Sequence, residues 1–314
     1  AKREVNMATL QKRKLGRTGL SVTVLGFGAM ELRGPGAAIR NGRPLAPGQA
    51  ERVLNAALDA GINFIDTSID YGVSEESIGS SVAHRRHDYF LASKCGCNAD
   101  PTSVPAGARG RHIYTRQNIV DGVHLSLKRM NTDYLDLVQF HGTPPDDVRD
   151  EAIQALLELK REGKVRSIGV SAALPDVANL IKMGVFDAFQ VPYSALEREH
   201  EAVITQAAKA GAGTIIRGGI ARGEPGHGLA DPDRWKTWDK ANLSELLDGM
   251  SQFEFLLRFT ISPPDLSTTI VGTLDPGHLA ENVAAAAKGP LPASIYNEAK
   301  RRLAALDSVA PRNS

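Results

Sequence analysis

QAERVLNAALDAGINFIDTSIDYG, residues 49–72, contains an amphipathic helix, a terminating glycine and an apolar strand in direct succession. In residues 49–60 the apolar side chains recur three or four positions apart, which is typical of a helix with one buried face. Gly61 follows the last turn and predicts the end of the helix, because glycine readily adopts the left-handed conformation found there. Residues 62–66 then predict a short buried strand that ends at Asp66. This succession of helix and strand is the unit from which the rest of the chain can be interpreted.

The same alternation recurs along the chain and predicts eight strands with helices between them. The strands are predicted at residues 22–26, 62–66, 89–93, 134–140, 165–170, 188–191, 213–216 and 268–271. The helices are predicted at residues 49–60, 75–83, 116–130, 150–162, 175–183, 199–210, 246–261 and 278–287, with a last, outer helix at 294–306. Parallel strands that are each followed by a helix belong to the α/β class, and eight of them predict a (β/α)8 or TIM barrel. The chain is therefore expected to form a single domain over residues 1–314.

The N-terminal segment is predicted to contribute a hairpin. KLGRTGLSV, residues 14–22, places Thr18 and Gly19 between two short extended pieces, and such a hairpin would cap the floor of the barrel. Residues 1–14 are expected to form a flexible leader, which carries charge but lacks the apolar core of a secretory signal. No segment reaches the roughly eighteen uninterrupted apolar residues of a membrane span. A cytoplasmic location without a membrane partner is expected.

Composition argues against a nucleic-acid partner and against a structural metal. Lys and Arg number 37 against 36 for Asp and Glu, so no net field would hold a polyanion. Hydrophobic residues make up 42% of the chain, which is enough for a large core. Cys95 and Cys97 are separated by one residue, which is too close for an ordinary disulfide, and two cysteines are too few for a zinc site. Free thiols and no bound metal are expected.

Polar residues at the ends of three consecutive predicted strands suit acid-base chemistry. The second strand ends at Asp66, Lys94 follows the third and His141 follows the fourth, while Tyr71 lies on the loop after Asp66. Because the carboxyl ends of barrel strands meet at one face, these side chains should surround one pocket. Each has a structural alternative: a helix cap for Asp66, a solvated strand end for Lys94 and an ordinary loop position for His141. Their joint occurrence favours a catalytic cluster.

This cluster predicts proton transfer to a carbonyl oxygen. A phenol with a pKa of about 10 is a weak acid at neutral pH, and the Lys94 ammonium would lower the pKa of Tyr71. Asp66 would be the counterion that keeps Lys94 charged. His141 would hydrogen-bond the substrate oxygen, and Tyr71 would donate its proton as a hydride arrives at carbon.

In its motifs the chain resembles the aldo-keto reductases. The resemblance covers nearly the whole sequence and is carried by LGFGAM, GINFIDTSIDYG, LASK, DYLDLVQFHG, GKVRSIGVS, FQVPYS and GTLDPGHLAEN. It implies that Asp66, Tyr71, Lys94 and His141 form a catalytic tetrad in which Tyr71 is the general acid, and that aldehydes or ketones are reduced to alcohols. It also implies a nicotinamide dinucleotide that lies extended across the barrel mouth without a Rossmann domain. Consistently, GFGAME lacks the third glycine of the Rossmann fingerprint.

The resemblance also implies which residues contact the dinucleotide. The set comprises Gly28, Met30 and Asp66 at the first two strands; Ser171 and Gln190 for the nicotinamide carboxamide; Arg217, Gly218, Gly219 and Ile220 for the nicotinamide ring and pyrophosphate; Thr273 and His278 for the adenosine 2'-phosphate; and Glu281 and Asn282 for the adenine. Side chains that both donate and accept suit a carboxamide, and a helix N-terminus suits a phosphate.

Several of these positions depart from the family pattern. Ala172 stands where many relatives have Asn, so one hydrogen bond to the carboxamide is lost or supplied elsewhere. Arg217 stands where an aromatic residue is common, and its planar guanidinium can stack on a ring in the same way. His278 and Gly272 stand where strictly NADPH-dependent relatives carry Arg and often Lys, and a neutral His forfeits part of a charge-assisted bond worth roughly 1.5–3 kcal/mol. NADPH is expected, with NADH possible.

Three long loops, residues 31–48, 96–115 and 221–242, follow strands and are expected to form either pocket walls or solvated insertions. Trp235 and Trp238 are candidates to pack on an aromatic or sugar ring of a small carbonyl or alcohol substrate. The loop arginines could bind an anionic or hydroxyl-rich substrate, or they could simply be solvated surface residues. They are Arg33, Arg40, Arg43, Arg109 and Arg111.

The sequence leaves two rival functions open. One is a nucleotide-binding, redox-sensing regulatory subunit with little turnover, and the other is an NAD-dependent sugar or alcohol dehydrogenase.

Overall fold

Eight parallel strands close into a barrel in which each strand pairs with the next and the last pairs with the first. The computed structural model describes residues 9–35, 37, 42–99, 112–223 and 231–309, with side chains to residue 306. The barrel strands are β3 (Leu25–Gly28), β4 (Phe64–Asp66), β5 (Phe90–Cys95), β6 (Leu137–His141), β7 (Ile168–Ser171), β8 (Ala188–Pro192), β9 (Gly213–Arg217) and β10 (Thr268–Val271). The predicted (β/α)8 barrel is confirmed.

Amphipathic helices surround this barrel and return the chain from one strand to the next. They are α1 (Gln49–Asp59), α2 (Ser74–Val82), α3 (Arg116–Arg129), α4 (Asp146–Arg161), α5 (Asp176–Lys182), α6 (Glu201–Lys209), α7 (Pro232–Lys240), α8 (Gln252–Thr260), α9 (Pro276–Ala287) and α10 (Ala293–Val309). Their apolar faces pack against the outer faces of the strands in one continuous core. In α1, for example, Val53, Leu54 and Ala57 are fully buried.

An antiparallel hairpin of β1 (Lys12–Lys14) and β2 (Ser21–Thr23) closes the floor of the barrel, as predicted. Leu15 and Val22 of the hairpin form a separate apolar cluster with residues at the starts of the barrel strands, including Phe64. Arg13 donates hydrogen bonds of 2.8–2.9 Å to the carbonyls of residues 261, 263 and 266. The predicted leader therefore extends too far, because residues 12–14 form β1, whereas residues 1–8 lie outside the described residues.

The predicted first strand, residues 22–26, combines parts of two strands and its bounds are wrong. The chain bends at Val24, between β2 of the hairpin and β3 of the barrel. The Thr23 backbone N–H donates to Asn63 Oδ1 at 2.7 Å, and the Thr23 hydroxyl donates to the Leu25 carbonyl at 2.8 Å. These hydrogen bonds fix the bend at Val24. The bend lies within a continuous run of strand-forming residues, so the apolar pattern of the sequence does not predict it.

Helix α7 lies within residues 221–242, which were predicted to be a loop. The Asp231 side chain accepts a hydrogen bond from the Asp233 backbone at 2.9 Å, and Pro232 occupies the first turn, so the helix has an ordinary N-terminal cap. Trp235 and Trp238 are 7% and 1% exposed and pack beside Phe253 and Phe255. The two tryptophans therefore belong to the core, and the prediction that they cover a substrate ring is wrong.

Two helices begin four or more residues away from the predicted start. Helix α4 begins at Asp146, four residues earlier, because its first turn is polar and carries no apolar periodicity. Helix α8 begins at Gln252, where Ser251 Oγ accepts from the Glu254 backbone at 3.1 Å, while Leu243–Leu246 forms a separate 3-10 turn. Among the helices that the structure describes, none combines the length and the apolar character required to cross a membrane.

Candidate active site

The carboxyl ends of the barrel strands bring the predicted polar residues to one rim. Asp66 ends β4, Lys94 is the penultimate residue of β5, and His141 ends β6. Ser171 and Arg217 end β7 and β9. Because parallel strands share one direction, residues far apart in sequence meet at this face of the barrel.

Beneath the rim, Lys94 and Asp66 form a buried ion pair with an Nζ–Oδ2 distance of 2.6 Å and side chains that are 1% and 2% exposed. Lys94 also donates to the Thr67 carbonyl at 2.8 Å. The other Asp66 oxygen accepts hydrogen bonds from the amides of Gln139 and Gln190, at 2.9 and 3.0 Å. Burial lowers the pKa of Lys94, but Asp66, with Tyr71 and Asp70, raises it by more in total, so the net direction is upward and Lys94 stays charged. Neither structural alternative holds here, since Lys94 is not solvated and Asp66 does not cap a helix.

Tyr71 lies over this ion pair, in the turn that precedes α2. The Lys94 ammonium is 5.0 Å from the centroid of the Tyr71 ring, within the range of a cation–π interaction. Burial raises the pKa of the Tyr71 phenol to about 12, although Lys94 acts in the opposite direction. The predicted lowering by Lys94 is therefore present but smaller than the effect of desolvation, and the phenol carries its proton at neutral pH.

His141 faces the edge of the Tyr71 ring, with ring centroids 5.9 Å apart and an interplanar angle of 81°. Its Nδ1 atom is 3.0 Å from Cys97 Sγ, 3.3 Å from Ser68 Oγ and 3.4 Å from Asp70 Oδ1. Burial opposes ionisation of Asp70, but hydrogen bonds from His141 and Ser68 hold its pKa at about 2. Three partners thus compete for one ring nitrogen, which fixes the orientation of the imidazole and leaves Nε2 for another partner.

A cleft of about 1750 Å³ opens above these residues and runs along the rim to the start of α9. It is lined by every predicted site residue except Lys94, which lies below Tyr71. The lining includes Gly28, Met30, Asp66, Tyr71, His141, Ser171, Gln190, Arg217, Gly218, Gly219, Ile220, Thr273, His278, Glu281 and Asn282. The fold thus brings the predicted set, apart from Lys94, to one continuous surface.

In the middle of the cleft, the Ser171 hydroxyl donates to Gln190 Oε1 at 3.2 Å. Since the Gln190 amide nitrogen donates to Asp66, the hydrogen bonds run from Ser171 through Gln190 to the buried ion pair. The Ser171 oxygen keeps lone pairs and the Gln190 amide keeps its second N–H, and both residues line the cleft. The two side chains therefore retain one acceptor and one donor beyond their own hydrogen bond.

The segment after β9 combines a cation with a closely approaching backbone. No described residue accepts a hydrogen bond from the Arg217 guanidinium, which lines the cleft and whose pKa is lowered by burial. A Cβ at Gly219 would lie 2.5 Å from Thr269 Oγ1, so only glycine fits against β10. Behind this segment, Glu197 pairs with Arg234 at 3.0 Å and with Arg222 at 3.7 Å.

At the far end of the cleft, the Asp275 side chain caps α9. Its Oδ1 accepts from the Gly277 backbone at 2.7 Å, and the Asp275 backbone N–H donates to Thr273 Oγ1 at 3.0 Å. His278 is exposed one residue further on. A carboxylate therefore occupies the positive end of this helix, where a phosphate was expected to lie.

The loop arginines have different surroundings. Arg33 is 7% exposed and donates to the Met30 carbonyl at 2.9 Å and to Glu31 at 3.2 Å. It therefore stabilises the turn in which it lies. Arg43 lines the cleft. The remaining loop arginines, Arg40, Arg109 and Arg111, lie outside the described residues.

Residues 24–302 match the family model described as Aldo/keto reductase family. The chain belongs to the aldo-keto reductase family. It is therefore an oxidoreductase of that family, and the sequence-based resemblance is confirmed.

Individual aldo-keto reductase relatives align over most of the chain. The holo form of aldo-keto reductase AKR11C1 from Bacillus halodurans superposes with a TM-score of 0.81 at 29% identity, covering 93% of this chain and 96% of that one. An uncharacterized oxidoreductase, YqkF of Bacillus subtilis, is 28% identical over 88% of this chain and 91% of its own. L-galactose dehydrogenase of Arabidopsis thaliana is 28% identical over 89% of both chains.

Sequence reasoning missed several residues of this aldo-keto reductase site. Gln139 holds Asp66 from β6, and its signal is a polar residue within an otherwise buried apolar strand. Asp70 stands within the quoted motif but was assigned no role. Cys97 and His112 are separated by residues 98–111 in the sequence, and nothing in their local sequence places them beside His141.

Proposed function

We propose that this aldo-keto reductase reduces aldehydes or ketones to alcohols by hydride transfer from a nicotinamide dinucleotide, with Tyr71 as the general acid. The observation that carries the proposal is the buried Lys94–Asp66 pair under the Tyr71 ring, with His141 at the edge of the same ring. A purely structural role does not account for a buried ammonium, a phenol and an imidazole that converge on an open cleft.

The residues present fit a dinucleotide. The cleft of about 1750 Å³ exceeds the roughly 300–1,000 Å³ of an ordinary ligand pocket, which leaves room for a dinucleotide and a small substrate. Its donor set is suitable, because Ser171 and Gln190 offer both hydrogen-bonding polarities and the Arg217 guanidinium donates no hydrogen bond to a described residue. When bound, the dinucleotide would supply or accept the hydride, as nicotinamides do.

The protein side of the reaction is proton delivery. With Nδ1 of His141 surrounded by Cys97, Ser68 and Asp70, Nε2 is the ring atom available to a substrate oxygen. Tyr71, protonated at neutral pH, donates its proton to that oxygen as negative charge develops on it. The Lys94 ammonium stabilises the resulting phenolate, and Asp66 keeps Lys94 in place.

The direct test is consumption of NADPH or NADH with aldehydes, ketones, sugars and steroids offered in turn. The proposal expects many turnovers per protein molecule with at least one carbonyl class. A regulatory subunit would complete at most one slow transfer per bound dinucleotide, and that result with every substrate class would overturn the proposal.

The raised pKa of Tyr71 predicts opposite pH responses for the two reaction directions. Reduction needs the phenol, which stays protonated well below a pKa of about 12, so its rate should be flat between pH 7 and 9. Oxidation needs the phenolate as base, so its rate should rise about tenfold per pH unit over this range while proton transfer is rate-limiting. Initial rates in both directions in buffers of matched ionic strength provide the measurement. A reduction rate that falls with a midpoint near pH 8 would exclude Tyr71 as the donor.

A second candidate function follows from the weak site for the 2'-phosphate that distinguishes NADPH from NADH. Asp275 caps α9 with a negative charge and His278 replaces a permanent cation, and both features weaken a site for the 2'-phosphate of NADPH. Together with the relative named L-galactose dehydrogenase, this favours NAD-dependent oxidation of a sugar or another alcohol as the alternative. The ratio of the Kd values for NADP and NAD, with oxidation rates for sugars, separates the two.

Replacing His278 with arginine is expected to strengthen NADPH binding by about tenfold or more, because a charge-assisted bond to phosphate contributes roughly 1.5–3 kcal/mol. NADH binding should change little, since it has no 2'-phosphate. Fluorescence titration with both dinucleotides measures the change. His124→Arg on α3 is the matched control, because His124 is exposed but does not line the cleft. An equal gain for NADH would show that the added charge acts nonspecifically.

A further inference from the structure

Three soft or borderline metal ligands meet at the end of the cleft that contains His141. One ligand atom each from Cys97, His112 and His141 lies within 4.8 Å of the other two. The imidazoles of His112 and His141 are stacked with centroids 5.4 Å apart, and Cys97 Sγ is 3.0 Å from His141 Nδ1. Two cysteines alone are too few for a zinc site, but Cys97 together with His112 and His141 forms a three-ligand set of one sulfur and two nitrogens.

The backbone holds this cluster in place. Cys97 and His112 form an antiparallel backbone bridge, and the Ile113 backbone N–H donates to the Gly96 carbonyl at 2.6 Å. His141 enters from the end of β6. The ligands therefore come from two separate parts of the fold. Because the backbone bridge and the barrel strand hold them, they are positioned before an ion binds.

Tyr114 orients His112 as an outer-sphere partner does in metal sites. The Tyr114 hydroxyl donates to the His141 carbonyl at 2.7 Å, so its oxygen is an acceptor for the His112 Nδ1–H, 3.2 Å away. This tautomer leaves Nε2 of His112 as the atom with a lone pair for a ligand bond. Metal-binding histidines usually donate their second ring N–H in this manner.

The distances suit a tetrahedral ion after a small adjustment. With Zn–S of about 2.3 Å and Zn–N of about 2.0–2.1 Å, neighbouring sulfur and nitrogen ligands in a tetrahedral site lie roughly 3.5 Å apart. The Cys97 and His141 atoms at 3.0 Å must therefore separate by about half an ångström. His112 and His141 both line the cleft, so a fourth coordination position would open toward it.

We propose that Cys97, His112 and His141 bind Zn²⁺ or a similar thiophilic divalent ion, with a fourth position that takes water or an oxygen ligand from the cleft. Cys97 would coordinate as the thiolate and release its proton to solvent as the ion binds. The ion would take Nδ1 of His141, whereas Nε2 is the atom assigned to the substrate oxygen, so the ion's fourth ligand and the substrate would occupy the same part of the cleft next to His141. Bound ion should therefore inhibit carbonyl reduction in competition with the substrate, a consequence that rests on the proposed function, whereas the binding itself does not.

Metal binding is tested by titrating the reduced, tag-free chain with Co²⁺ and Zn²⁺. Wild-type protein should bind one equivalent, and Co²⁺ should give a thiolate-to-metal charge-transfer band with the visible spectrum of a tetrahedral site. Cys97→Ser should abolish the band and weaken Zn²⁺ binding by about 100-fold or more, since even outer-sphere partners contribute about 10- to 100-fold. A cobalt complex without the thiolate band would overturn the proposal.

Matched variants separate this site from other ligands on the chain. Cys95→Ala removes the other buried thiol, and His124→Ala removes an exposed histidine on α3; both should bind Zn²⁺ like the wild type. His112→Gln should weaken binding by at least tenfold, and this variant decides the question if Cys97→Ser does not fold. Equal Zn²⁺ affinity in His112→Gln and wild type would overturn the proposed site.

Activity distinguishes the metal site from the proposed function. For an active enzyme, Zn²⁺ should raise the apparent KM for the carbonyl substrate, leave dinucleotide binding unchanged and have no such effect on His112→Gln. A chain that binds Co²⁺ through Cys97 yet turns over no carbonyl compound retains the metal site and loses the proposed function. A chain that reduces carbonyl compounds normally but shows no thiolate-bound Co²⁺ retains the proposed function and loses the metal site.

Discussion

Replacing Tyr71 with phenylalanine is expected to lower carbonyl reduction by about 10²- to 10⁴-fold, the range that general acid catalysis contributes. The variant keeps the ring over Lys94 and loses only the hydroxyl that delivers the proton. Its affinity for NADPH or NADH should stay close to that of the wild type, because the predicted carboxamide and phosphate contacts come from other residues. Single-turnover rates and a fluorescence titration measure the two quantities separately.

Tyr89→Phe is the matched control for this experiment. Its phenol is also buried, which likewise raises the pKa of Tyr89 to about 12, but its hydroxyl donates to the Val82 carbonyl at 3.3 Å, away from the cleft. The control should turn over normally. Near-normal turnover in Tyr71→Phe would remove Tyr71 as the proton donor, and a loss of dinucleotide binding would mean that the ring has a different role.

Lys94→Met is expected to be inactive and to lose about 3–5 kcal/mol in free energy of unfolding. The substitution keeps an unbranched apolar side chain of similar length but leaves the Asp66 carboxylate buried without its cation, and breaking a buried ion pair in this way is strongly destabilising. The phenolate that forms at Tyr71 would also lose its nearest positive charge. Denaturant unfolding curves measure stability, and turnover with the best carbonyl substrate measures activity.

The double variant Asp66→Asn/Lys94→Met separates these two effects. Removing both charges should recover most of the lost free energy of unfolding, because no uncompensated ion remains, and Gln139 and Gln190 can still hydrogen-bond the Asn side chain. Activity should remain absent, since the ammonium is still missing. A double variant as active as the wild type would show that the ion pair stabilises the fold but does not assist the reaction.

The residues at the strand ends could be predicted because one geometric rule places them. Asp66, Lys94 and His141 each stand at or next to the end of an apolar run, and the carboxyl ends of parallel barrel strands converge on one face. Periodicity and glycine positions were enough to find the strands. Periodicity failed in the continuous run around Val24 and in the polar first turn of α4, because neither a bend nor a capped polar turn alters the apolar pattern.

Tertiary structure decided the environment of each side chain. Lys94 should lower the pKa of Tyr71, but burial raises it further than Lys94 lowers it, and burial depends on the packing of several elements. From the sequence, Trp235 and Trp238 were expected in a loop over a pocket, but they lie on α7 with their side chains buried in the core. Asp275 caps α9, and its carboxylate accepts from the Gly277 N–H, one of the N–H groups that a phosphate at this helix end would use.

The amino-acid sequence by itself determined the barrel, the family and the residue types at the rim, because these depend on local periodicity and on motifs that lie within single segments. Only the tertiary structure decided which partners those residues have. Gln139 reaches Asp66 across strands, and Cys97, His112 and His141 meet through a loop bridge and a strand end. Such contacts depend on strand register and on the course of loops, which are fixed by packing among distant segments and leave no pattern in the sequence of any one of them.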